Sequence, residues 1–177
     1  MTFDSHQLWG GAQKGPAPQW RLAAQWVPPP QAQPWAPWLL EPASLTQRLR
    51  QHLPPVQVRP VFEGLLAPHP TENTVLGLEQ DPGPTAWVRE VQLLGAGQPR
   101  LWARTVIPHW STHNPWSQVQ TLGQQPLGEL LFVWPDIVRG PLHVAHTPMG
   151  WARYCVYHRH QAPLLLAEVF LPSLLQP

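Results

Sequence analysis

Trp87 to Leu94 and Pro99 to Ile107 are two apolar-rich runs, and only Gly95-Ala96-Gly97-Gln98 separates them. Such runs around a short glycine-containing link predict an antiparallel β-hairpin. Other segments have the same character. Val56 and Val58 alternate towards Glu63 and Gly64, and three more runs cover about Ile137 to His146, Trp151 to His160 and Leu164 to Leu171. Gly150 and Gln161-Ala162-Pro163 supply the turns between the last three. Six strands joined mostly by short links predict an α+β fold: a six-stranded antiparallel sheet with helices on one side.

Helix signals are few. Ser44 can cap a helix that Gln47 reaches back to, and Pro54-Pro55 ends it. Asn114-Pro115 and Pro126 open two short helices, with Pro126 expected at the first helical position. Residues 67–84, rich in Pro, Gly, Thr and Asp, read as loop. Before residue 35 the chain is rich in Pro, Gln and Ala, without sustained periodicity. We therefore divide it into a partly ordered arm, residues 1–35, and a single domain, residues 36–177. Trp9, Trp20 and Trp26 suggest that parts of the arm dock on the domain.

Composition excludes several function classes. Only 12 % of residues are charged and the net charge is +1, with no cluster of Lys and Arg, so no nucleic-acid partner is expected. Cys155 is the single cysteine, which rules out an intramolecular disulfide and a cysteine-based zinc site. Met1 to Gly11 shows no basic n-region and no apolar h-region, so no secretion signal is expected, and the longest apolar run, Leu164 to Leu171, contains Glu168 and is too short to span a bilayer. A soluble, cytoplasmic protein is the expectation.

The hairpin carries the first chemical anomaly. A turn centred on Ala96-Gly97 sets Arg89 directly opposite Arg104, among Trp87, Val91, Leu93, Trp102 and Val106. An odd loop breaks that pairing. Like charges face to face on an apolar surface repel, and an anion between them resolves the conflict. The bland alternative is that each arginine reaches solvent or pairs with Glu63 or Glu90. Glu168 is the second anomaly, a carboxylate flanked on its face by Leu164, Leu166 and Phe170. It needs either a function or an ion pair with Arg153 or Arg159. Exposed amides at Leu45 and at Leu127-Gly128, at two helix starts, add weak anion-binding capacity. His109 and His113 are four apart but sit beside Pro108 and Pro115 in an expected loop, His143, His146, His158 and His160 have no acidic or cysteine ligand at metal spacing, no phosphate loop or nucleophile elbow occurs, and Cys155 reads as a small buried residue.

The segments Trp87-Val88-Arg89-Glu90-Val91, Ala103-Arg104-Thr105-Val106-Ile107-Pro108, Pro126-Leu127-Gly128 and Pro163-Leu164-Leu165-Leu166-Ala167-Glu168-Val169-Phe170-Leu171-Pro172 resemble those of the chorismate–pyruvate lyases. Trp38-Leu39-Leu40 followed by Ser44-Leu45-Thr46 does so too, in the same order and spacing. After Trp151-Ala152-Arg153 the family often continues with Arg-Ser, whereas this chain has Tyr154-Cys155.

The resemblance implies a cofactor-independent, metal-free lyase. It would eliminate pyruvate from chorismate to give 4-hydroxybenzoate, the first step towards ubiquinone. It also implies helical flaps over a buried ligand site and a monomeric state. By position, the ring-carboxylate arginine falls on Arg89, a second essential arginine on Arg104, and the carboxylate that meets the 4-hydroxyl on Glu168. Main-chain substrate contacts fall on Leu45 and Leu127. Arg104 is then expected to take the enolpyruvyl carboxylate. The competing reading is a non-catalytic effector-binding module of the same fold that holds a small anion.

Overall fold

The computed structural model describes residues 4–10, 17–80 and 85–176. Residues 1–3, 11–16 (with Pro16), 81–84 (the end of the expected loop) and 177 lie outside the described residues.

An antiparallel sheet of eight strands forms the centre: β1 (Arg21–Leu22), β2 (Val56–Leu66), β3 (Ala86–Gly95), β4 (Gln98–Pro108), β5 (Ile137–Arg139), β6 (His143–Thr147), β7 (Gly150–Arg159) and β8 (Ala162–Phe170). Their order is β1-β6-β7-β8-β4-β3-β2, with β5 also paired to β7. The expected six strands are corrected in two places. The single strand expected over Ile137 to His146 is two, β5 and β6. Gly140-Pro141 interrupts it, because Gly140 presses so close to β7 that a Cβ there would lie 2.8 Å from the Val156 carbonyl oxygen, and Pro141 has no amide to donate. The other addition, β1, comes from the N-terminal arm, whose proline-rich sequence hid it.

Helices flank both faces of the sheet, not one. On the first face lie α2 (Ala36–Leu39), α3 (Leu45–His52) and α5 (Leu127–Leu131), whose Leu39, Leu45, Leu49 and Leu127 share a core with Leu101, Leu164 and Phe170. On the second lie α1 (Ser5–Trp9) and α4 (Pro70–Val75), and there Leu8 and Trp9 pack with Val88, Trp102 and Leu165. The helix α4 sits in the stretch read as loop. His69 caps it, Pro70 takes its first position and Glu72 closes a capping box back to the His69 amide. Ser44 caps α3 through the Gln47 amide, as its sequence suggested. Pro126 is the residue before α5 rather than its first residue, and Asn114 accepts a bond from the Trp116 amide ahead of a short 3-10 turn at Ser117–Thr121. Among the described residues, no helix is long and apolar enough to cross a membrane.

The hairpin turn is where the sequence placed it, with Leu94 opposite Pro99 and Gly95 opposite Gln98. One residue further in, Leu93 pairs with Leu101, and Arg100 is left over as a β-bulge. Arg100 is buried and anchored there. Its Nε donates to the Gly95 carbonyl at 2.9 Å, and its Nη1 donates to the carbonyls of Gln176, at 3.0 Å, and Ser173. Since side chains alternate along a strand, this one-residue slip turns every side chain of β4 beyond it to the other face.

Candidate active site

The slip decides which residues meet. Arg89 stands opposite Thr105, and Arg104 stands opposite Glu90. The expected face-to-face arginine pair is therefore absent. Arg89 looks to the first face and Arg104 to the second, with Trp102 and Val106 beside it.

On the first face a narrow pocket, with a cavity volume of about 30 Å³, lies between the sheet and the starts of α3 and α5. Arg89, Thr105, Arg153, Tyr157 and Glu168 supply its polar wall from the sheet, and Thr46, Leu127 and Gly128 close it from the helices. Cross-strand register explains the shape. Val91, Ala103, Glu168 and Arg153 form one row across β3, β4, β8 and β7. Arg89, Thr105 and Leu166 form the next. Arg89 and Glu168 are thus two strands apart, roughly 10 Å at the usual strand spacing. The small Ala103 and Thr105 stand between them. Overhead, α3 and α5 touch closely: a Cβ on Gly128 would lie 3.0 Å from Ser44 Oγ.

Arg89 is only 1 % exposed. Its Nε donates to Glu63 at 2.8 Å, and one Nη donates to the carbonyls of Gly123 and Gln125 at 2.8 and 3.1 Å. Burial draws its pKa below the ordinary arginine value, and the Glu63 carboxylate opposes that shift. Glu168 accepts from Arg153 Nε at 2.6 Å. Both ion pairs weighed from sequence are therefore present. The Arg153–Glu168 pair nevertheless forms part of the pocket wall rather than sitting apart from it. Tyr157 is 4 % exposed, burial raises its pKa, and no described residue accepts its hydroxyl proton. Its phenol therefore stays a donor.

Leu127 begins α5 and lines the pocket, whereas Leu45 begins α3 and sits in the core, with its neighbour Thr46 on the pocket wall. Cys155 is buried on the same sheet face, with Sγ 3.2 Å from the Gly140 carbonyl oxygen, and burial raises its thiol pKa. His143 stacks on Tyr154 and His146 meets Trp151 edge-on, away from the pocket.

On the opposite face Arg104 is bound to two carboxylates. Its Nε and Nη2 donate to Glu72 at 2.7 and 3.0 Å, and its Nη1 donates to Glu90 at 2.5 Å. Trp9 Nε1 from the arm donates to the same Glu72, at 2.9 Å. Burial alone would lower the Arg104 pKa, but the two carboxylates outweigh it and raise it. Glu90 is pushed up by burial against the pull of Arg104.

Arg153, Thr105 and Tyr157 had no place in the sequence-derived site. The signal for Arg153 and Tyr157 was the β7–β8 turn. Its two residues are His160 and Gln161, both at positive φ, rather than Gln161-Ala162-Pro163. Counting back from that turn sets Arg153 against Glu168 and puts Tyr157, four residues on, on the same face.

The family model described as chorismate lyase matches residues 19–176. A probable chorismate pyruvate-lyase of Thiobacillus denitrificans is 40 % identical over 158 residues, covering 79 % of this chain and 83 % of the relative. Another from Pseudomonas putida is 37 % identical over 171 residues, covering 87 % and 91 %. The chorismate pyruvate-lyase of Serratia proteamaculans is 37 % identical over 161 residues, covering 89 % and 88 %.

Proposed function

The chain belongs to the chorismate lyase family, and from that premise we propose how it eliminates pyruvate from chorismate to leave 4-hydroxybenzoate, the first step towards ubiquinone. One observation carries the reading: Arg89 and Glu168 line a single buried pocket with the small Ala103 and Thr105 between them.

Arg89 receives the ring carboxylate, since a planar guanidinium fixes a carboxylate in two directions at once. Glu168 accepts a hydrogen bond from the 4-hydroxyl. The main chain at Leu127, and that of Leu45 beside Thr46, bounds the ring from the helical side. Arg104 braces the sheet from behind, so the enolpyruvyl carboxylate falls to donors on the pocket wall, Thr46, Thr105 and Tyr157. The C3–O bond to the enolpyruvyl group breaks, C4 loses its hydrogen, and the ring becomes aromatic. Aromatisation drives the step, so the pocket mainly has to hold the side chain in a reactive pose and keep water out. The carbon that becomes the pyruvate methyl group gains a hydrogen. That hydrogen arrives either from C4 within the substrate or through Glu168.

We read α3 and α5 as flaps that admit substrate, supported by their place over the pocket and by the exposed Arg50–Glu129 ion pair that joins them. The molecule acts as a cytoplasmic monomer without a nucleic-acid partner, with residues 1–35 as an arm on the 36–177 domain. Support for this comes from the near-neutral charge and the family.

The test is direct. Purified protein is incubated with chorismate, and 4-hydroxybenzoate and pyruvate are sought by chromatography. Equimolar products well above the uncatalysed background are expected. Chorismate that binds without turnover would instead support an effector-binding module.

A further inference from the structure

We propose that Arg153 is a positioning residue of the lyase reaction, which fixes the Glu168 carboxylate so that it faces the 4-hydroxyl of the ligand. This rests on the reading of Glu168 as the hydroxyl partner.

The guanidinium is 4 % exposed and is held from two sides. Its Nη1 donates to the Glu41 carbonyl at 2.9 Å, with the Trp38 and Leu39 carbonyls at 3.4 and 3.5 Å. These carbonyls belong to the end of α2 and the residues after it, where a short helix leaves its last oxygens without intrahelical donors. Its Nε then donates to Glu168 Oε2 at 2.6 Å from the directly opposed position on β7. Only one carboxylate oxygen takes that bond, and both residues line the pocket.

A glutamate among Leu164, Leu166 and Phe170 has several rotamers open to it, and an unpaired buried carboxylate is unfavourable. Arg153 supplies both the counter-charge and the orientation. An ionised carboxylate accepts hydrogen bonds and donates none, so a Glu168 held in this way selects a ligand that offers a hydroxyl at that point. A purely structural ion pair would stabilise the fold without favouring one ligand over another.

Benzoate and 4-hydroxybenzoate separate the two cases, because they share the carboxylate and differ in the hydroxyl. Their affinities are measured by calorimetry for the full chain, for Arg153→Gln and for Arg153→Lys. The wild type is expected to prefer 4-hydroxybenzoate by about tenfold or more, the scale of a lost partner for a buried charged group. In Arg153→Gln that preference should shrink to less than about threefold, with benzoate affinity nearly unchanged. In Arg153→Lys it should fall part of the way, since one ammonium cannot serve both the α2 carbonyls and Glu168 in the same geometry. Equal weakening of both ligands, or an unchanged preference in the variants, overturns the proposal. If Arg153→Gln does not fold, Arg153→Lys decides by the same ratio. A wild type that shows no preference overturns the reading of Glu168 itself, and this inference with it.

Discussion

Arg104 lies directly across the β3–β4 pair from Glu90, with Nη1 2.5 Å from its carboxylate, and on the far side of the sheet from the pocket. It also donates to Glu72, which is fully buried and receives Trp9 from the N-terminal arm as well. Replacing Arg104 by Met leaves the buried Glu72 and the partly buried Glu90 without their cation, a change that costs about 3–5 kcal/mol. Urea denaturation should show that loss, and the folded fraction should keep a KM for chorismate within about threefold of wild type. A stable Arg104→Met protein with no turnover would place Arg104 in the chemistry after all.

Arg89 behaves differently because its partner is less enclosed. Glu63 keeps 27 % of its side chain exposed, so solvent can take over when the arginine goes. Arg89→Gln should therefore cost binding more than stability. Truncating one side of a buried charged contact weakens binding by about 2–5 kcal/mol, or about 30-fold at the low end. Calorimetry with 4-hydroxybenzoate measures it, with the exposed Arg21→Gln as a control expected to bind normally.

These two arginines also show how far the sequence could be read. Alternation along each strand, the turn at Ala96-Gly97 and the family motifs are local, so the hairpin, Glu168 and Leu127 were legible. Arg100 was not, because its role as a bulge depends on carbonyls at Ser173 and Gln176, far along the chain. That one residue reverses the face of Arg104. Similarly, α4 escaped detection because its cap is a histidine rather than Ser, Thr, Asp or Asn. Arg153 was visible as an ion-pair partner, but its hold on the α2 carbonyls joins segments distant in sequence.

His69 makes stability pH-dependent. Its Nδ1 accepts the Thr71 amide as the α4 cap, and its ring meets His6 edge-on at 5.0 Å. Burial is the main cause that lowers its pKa, with Glu72 opposing and His6 and Arg104 adding to the shift. A lowered folded-state value means that the unfolded chain binds the proton more readily, so stability falls as pH drops below about 6.5. His143, also lowered by burial, acts in the same sense. His69→Asn keeps a capping oxygen and removes the titration. Its melting temperature should therefore fall less steeply than that of wild type between about pH 7 and pH 5, the window that spans the unfolded-state histidine pKa of about 6.5, by scanning calorimetry. Parallel curves would mean that the cap survives protonation.

Arg50 and Glu129 join α3 to α5 at 2.5 Å, but both side chains are nearly half exposed. An exposed pair contributes at most about 1 kcal/mol, and salt screens it. If the two helices open to release product, Arg50→Gln should speed release of 4-hydroxybenzoate by up to about fivefold in stopped-flow, and added salt should reduce the difference from wild type. An unchanged release rate would mean that opening occurs elsewhere.

Tyr157 is the sharpest remaining test of the pocket wall. Its ring is buried, Arg139 lies over it at 5.9 Å, and burial raises its pKa, so the phenol stays protonated across the working range. Tyr157 lines the pocket, so its hydroxyl is placed to donate to a bound ligand. Tyr157→Phe removes the hydroxyl and keeps the packing, so the empty protein should be as stable as wild type or slightly more so. A hydrogen bond made to substrate is worth about 0.5–1.5 kcal/mol, so kcat/KM for chorismate should drop by roughly 2- to 13-fold. If the contact is to the enolpyruvyl carboxylate, as proposed, the affinity for 4-hydroxybenzoate, which lacks that group, should not change. A parallel loss for the product would move Tyr157 to the ring end of the pocket and return the second carboxylate to Thr46 and Thr105.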